Sequence, residues 1–157
     1  MKKQFFLALF MILAVLCTSF SAFAVAESII INGNVAQIPA DMGIIREKDE
    51  RTFVPIRFVM EYLDCHVDYD ETNRSATVAS DTCAYLIQDG NNRLFVIPYP
   101  NAEGMQVTEP YAITMDTVPY IEETEGRMYI PIRFLAQAIG YTVGWDEETQ
   151  TVTLSID

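Results

Sequence analysis

The chain has 157 residues, half of them hydrophobic, and a formal net charge of −12 from 10 Lys and Arg against 22 Asp and Glu. It has no basic cluster that could displace counterions from a phosphate backbone, so nucleic acid is excluded as a partner. A charge of this sign and size speaks mainly for solubility, and only secondarily for attraction to cations or basic partners.

Residues 1–26 read as a signal peptide. Lys2 and Lys3 precede an apolar run over residues 5–16, a more polar stretch at 18–21, and two overlapping small-residue sites, Ala22-Phe23-Ala24 and Ala24-Val25-Ala26. The competing reading is an uncleaved anchor, since residues 5–24 nearly suffice to span a bilayer. Cys17 follows Leu16, which is not the small residue that lipoprotein processing requires, so it falls in the discarded segment. Cleavage leaves residues 27–157, one domain of about 131 residues with a net charge of −14, secreted to the cell envelope and without a further membrane span.

The mature chain opens with a hairpin signal: Ile29, Ile30 and Ile31, then Asn32-Gly33, then residues 35–38. Next comes a ten-residue stretch that returns later. Residues 54–63 read VPIRFVMEYL and residues 130–139 read IPIRFLAQAI. An offset of 76 residues aligns Arg51 with Arg127, Pro55 with Pro131, Arg57 with Arg133, Phe58 with Phe134, Tyr69 with Trp145 and Asp70 with Asp146, without a gap. Two copies of one supersecondary unit are expected, at about residues 29–80 and 105–157.

In each copy a β-prone run leads to a proline suited to the first helical turn. Ile56, Val59, Met60 and Leu63 then recur at helical spacing, as do Ile132, Leu135, Ala136 and Ile139, predicting amphipathic helices of about ten residues. Gly140 is placed to end the second helix in the left-handed conformation, where the first copy has the costlier Asp64. The period then changes to two. Cys65, Val67 and Tyr69 share one strand face, as do Tyr141, Val143 and Trp145, and core packing is expected for Tyr69 and Trp145. Asp70 and Asp146 begin turns, and Ala76 and Val78, or Val152, Leu154 and Ile156, form the returning arm. Between the copies, residues 83–88 and 93–97 flank a turn at Asp89-Gly90, and Pro98, Pro100, Asn101 and Gly104 mark a loop. The sum is an α+β domain of antiparallel hairpins around two short helices, with an internal pseudo-twofold.

This doubled pattern of Arg, aliphatic-Pro-x-Arg-Phe, short helix, Val-x-aromatic-Asp and turn resembles the copper amine oxidase N-terminal domain family over residues 29–156. The resemblance implies a stalk-like, non-catalytic extracellular module, often joined to other modules on bacterial envelopes. Copper and the modified tyrosine cofactor of the oxidases belong to a separate catalytic domain, so no cofactor and no metal are implied here. Asp64 and Tyr69 depart from the usual Gly and Trp.

The side chains agree with a non-enzyme. His66 is the one histidine, too few for copper, and Cys65, His66 and Cys83 do not complete a zinc set. No glycine-flanked nucleophile accompanies His66, and Asp68 and Asp70 read as solvated charges near a turn rather than a glycosidase pair. A small hydrolase is the remotest reading. Arg57 and Arg133 each stand in a first helical turn, where the macrodipole disfavours a cation. Pairing of Arg57 with Asp70 or Glu71, and of Arg133 with Asp146 or Glu147, is expected to compensate; a plain surface role and a ligand-binding role remain open. Cys65 and Cys83 permit a disulfide and equally permit two free thiols. Two functions stay in play, a binding module for cell-wall glycan or a surface protein and a structural stalk or spacer. The end of the chain directly after its last strand tilts the expectation towards binding, with exposed aromatics near Tyr99 and Tyr111 as the sign of a glycan surface.

Overall fold

The computed structural model describes residue 26, residues 28–100 and residues 109–156. The expected signal segment up to Val25 and the loop positions Asn101 and Gly104 lie outside the described residues.

The helices follow from the apolar spacing. Helix α1 (Ile56–Tyr62) buries Ile56, Phe58, Val59 and Met60, and helix α2 (Ile132–Ala138) buries Ile132, Leu135 and Ala136. Both are seven residues long, shorter than the ten expected. Pro55 and Pro131 stand one position earlier than expected, as N-caps in extended conformation. At the other ends, the N–H of Cys65 donates to the carbonyl of Met60 and that of Tyr141 to the carbonyl of Ala136, at 2.8 and 2.9 Å. These bonds close the helices in Schellman motifs around left-handed residues, Asp64 at φ 57° and Gly140 at φ 93°.

The rest of the chain is mostly strand. Strands β1 (Ser28–Ile31) and β2 (Asn34–Ala36) form the expected hairpin, with Asn32 and Gly33 both at positive φ as a type I′ turn requires. Strands β3 (Arg46–Lys48) and β4 (Arg51–Pro55) lead into α1, after which β5 (His66–Asp70) and β6 (Ser75–Ala79) pair. Then follow β7 (Cys83–Gln88), β8 (Arg93–Pro98), β9 (Tyr111–Thr114) and β10 (Tyr120–Glu122). Strand β11 (Arg127–Pro131) leads into α2, and β12 (Thr142–Asp146) pairs with β13 (Thr151–Ser155). This is the α+β class that the sequence indicates, with sheet predominating.

Three sheets result, in strand orders β12-β13-β1-β2, β10-β11-β4-β3 and β5-β6-β7-β8-β9. Strand β4 pairs antiparallel with β11, placing Val54 opposite Ile130, Phe53 opposite Pro131 and Pro55 opposite Tyr129. One pairing departs from the antiparallel expectation. Strand β1 lies parallel to β13, with Ser28 beside Thr151 and Ile31 beside Leu154. Both helices and the inner faces of all three sheets share one core, centred on Val54, Val59, Met60, Ile87, Leu94, Ile130, Leu135 and Leu154. Ile156 lies beyond the last strand and is exposed, contrary to its expected place in the returning arm.

Charged side chains fill the ends of the β4/β11 sheet. The Tyr129 ring stacks on Tyr120 with centroids 5.4 Å apart and planes 11° apart, and the Arg46 guanidinium and Lys48 ammonium sit over these rings at 5.2 and 4.5 Å. The Tyr129 hydroxyl donates to Glu125 at 2.8 Å and accepts from the N–H of Ile44 at 3.3 Å, while Arg46 pairs with Glu125. These bonds hold the Glu125 carboxyl below the usual carboxylate range, the Tyr129 hydroxyl being the largest cause.

Candidate functional site

The recurring residues meet at two grooves. The larger, with a cavity volume of about 450 Å³, has Pro131, Ile132 and Arg133 from the start of α2 on one side and Val143, Gly144 and Trp145 of β12 on the other. Glu47, Glu50, Arg51 and Thr52, carried by β3, β4 and the turn between them, close its far wall. A side chain at position 144 would bring its Cβ within 2.5 Å of the Thr153 hydroxyl, so glycine keeps β12 flat against β13 beside Trp145. The second groove, about 340 Å³, takes Pro55, Ile56 and Arg57 from the start of α1, Val67 and Tyr69 from β5, and Gly126, Arg127 and Met128 as its far wall.

Trp145 is 45% exposed and Tyr69 is 38% exposed. The expectation of core packing is thereby corrected for both. Val67 is buried on the same face as Tyr69, so the face was rightly read, but a groove opens over its outer end. Tyr99 and Tyr111 are also exposed, the latter on edge strand β9.

The arginine clamps are corrected as well. Arg57 pairs along its own helix with Glu61 at 3.3 Å, not with Asp70 or Glu71. Arg133 makes no ion pair with Asp146 or Glu147 or with any other described carboxylate, because the residue four positions on is Gln137 where the first helix has Glu61. Its guanidinium stands exposed at the rim of the Trp145 groove. Asp70 and Asp146 serve the turns instead. The Asp70 carboxylate accepts from the N–H groups of Thr72 and Asn73 at 2.9 and 3.1 Å, and Asp146 accepts from those of Glu148 and Thr149 at 3.0 and 3.1 Å. Both carboxyls are thereby held below their ordinary range, Asp70 chiefly by the Asn73 side-chain amide and Asp146 chiefly by the Thr149 N–H.

The other recurring residues diverge between the two halves. Arg51 donates twice to Asp116, at 2.9 and 2.6 Å, and lowers its carboxyl, whereas Arg127 donates to the carbonyls of Asp41 and Glu125. Phe58 is buried and Phe134 half-buried. Cys65 and Cys83 are free thiols, the first buried and the second half-buried, and burial pushes the Cys65 thiol up. Cys65 stands just before β5 and Cys83 opens β7, the two strands that flank β6.

Sequence reasoning missed Glu47, Glu50 and Thr52 as groove residues. They sit in a charged stretch without periodicity, and only the β4/β11 pairing carries them to α2. Copper does not fit these side chains. His66 is exposed with Asp68 3.3 Å away, and among the described residues no three His, Cys, Asp or Glu side chains gather as a metal site. No described helix is long and apolar enough to cross a membrane.

Fold and grooves together define a small sheet-rich module whose concave surfaces offer aromatic rings and guanidinium groups. The chain belongs to the copper amine oxidase N-terminal domain family, which matches over residues 30–154. That domain is non-catalytic by itself. No curated protein and no solved structure matches the chain.

Proposed function

We propose that the chain is a secreted, extracytoplasmic module of the cell envelope that binds cell-wall glycan in the Trp145 groove. The carrying observation is a half-exposed tryptophan beside an arginine that forms no ion pair with a described carboxylate. A sugar ring presents an apolar C–H face to an indole and hydroxyls to charged groups at its rim. The groove supplies Trp145 for the first, and Arg133, Glu47 and Glu147 for the second.

Further features bear on where the signal ends and support two units 76 residues apart. Val54 and Ile130 are equivalent positions and face one another in the β4/β11 pair, as a twofold through that point requires. Ala26 is 4% exposed within the core, which favours cleavage after Ala24 over cleavage after Ala26.

The test is co-sedimentation of the mature chain with purified sacculi across a salt series, for the unsubstituted protein and Trp145→Ala. Retention at high salt that drops at least about tenfold on substitution supports the proposal; a tenfold loss corresponds to about 1.4 kcal/mol. No retention at any salt refutes glycan binding and leaves binding of a surface protein or a structural spacer as the role.

A further inference from the structure

The second groove is built like the first. Arg57, Val67, Tyr69 and Ala76 line it where Arg133, Val143, Trp145 and Val152 line the other. The crossed arrangement extends to the far walls. Arg127 and Met128 of β11 face the start of α1, and Arg51 and Thr52 of β4 face the start of α2. Each groove is thus completed by a strand from the other half of the chain.

We infer that the Tyr69 groove is a second saccharide site, so that one chain engages two segments of a repeating glycan. The inference rests on the glycan reading of the Trp145 groove. The two sites differ in strength for visible reasons. A phenol offers a smaller face than an indole, and Arg57 is held in an ion pair with Glu61, whereas Arg133 forms no ion pair with a described carboxylate and only acts on Asp116 through its charge. The Tyr69 site is therefore the weaker one. For soluble oligosaccharides the two act separately, whereas on an insoluble polymer the weaker site adds to retention through effective concentration.

The experiment uses chitotetraose as the probe and the mature chain with two independent readouts. The chain has a single tryptophan, so its fluorescence reports the Trp145 groove alone. Amide chemical shifts of residues 56–58 and 67–69 report the other. The expected result is a fluorescence change saturating at low probe concentration, followed by shifts in residues 56–58 and 67–69 at several-fold higher concentration. In Tyr69→Ala those later shifts are lost while the fluorescence titration is unchanged, and in Tyr69→Trp they move to lower concentration. Shifts confined to the Trp145 groove in the unsubstituted chain overturn the second site and leave the first standing. Shifts confined to the Tyr69 groove overturn the Trp145 reading and uphold the second site. No response from either overturns both.

Discussion

Asp64→Gly should make the protein more stable. Asp64 closes α1 at φ 57°, in the left-handed region, and its side chain makes no hydrogen bond among the described residues. An L-residue in that conformation costs about 1–2 kcal/mol, somewhat less for Asp, and its carboxylate also lies at the negative end of the helix, which adds a few tenths. Glycine removes both costs but raises the entropy of the unfolded chain, returning roughly 0.5 kcal/mol. The net gain is about 1 kcal/mol, or a rise in Tm of about 3–5 °C for a domain of this size. Differential scanning calorimetry of the mature chain reads this directly. Gly140→Asp at the end of α2 is the reciprocal change and should lower Tm by at least as much, since Gly140 adopts φ 93°, further from what a side chain tolerates. If Asp64→Gly leaves Tm unchanged or lowers it, strain at the end of α1 is not a cost to the fold.

Tyr129→Phe keeps the ring stack on Tyr120 and removes the hydroxyl that bonds Glu125 and Ile44, so a loss of about 1–2 kcal/mol is expected in urea titrations, with no change in m-value. Acid should weaken the fold. Glu125 and Asp116 have depressed folded pKa values, so their contribution is complete above the ordinary carboxylate range and disappears as pH falls through the folded values. Tm should be level near neutral pH and fall below about pH 4, less steeply in Glu125→Gln; a flat profile down to about pH 3 rules the argument out. The intact mass of the exported chain should match a start at Val25 and should not change on reduction. Cys65 stands just before β5 and Cys83 opens β7, and these strands are two spacings apart, roughly 9.5 Å, beyond the Cα separation of about 4.4–6.8 Å that a disulfide spans. A gain of two hydrogens on reduction is the contrary result.

What the sequence disclosed was local. Helix stripes, Schellman ends at Asp64 and Gly140, the Asn32-Gly33 turn and the Asp70 and Asp146 turns each depend on residues within a few positions of one another, and each is present. The errors concern distant partners. Arg57 found Glu61 on its own helix because an i, i+4 carboxylate is closer than any turn residue, and Arg133 found none because Gln137 stands there. Period two assigned Tyr69 and Trp145 to the inner face, but it carries no information on whether another element covers the end of that face. The short strand β3, Arg-Glu-Lys, has no apolar alternation to announce it, so the groove wall that it helps form was out of reach.

The parallel pairing of β1 with β13 sets how the domain would carry tension. The chain reaches β1 at Ser28, beside the start of β13, and leaves β13 at Ser155, beyond the far end of β1. A pull applied through the two ends therefore slides these strands along one another. In this shear direction their hydrogen bonds are loaded together rather than opened one after another, while the β1/β2 and β12/β13 hairpins hold each strand from the outside.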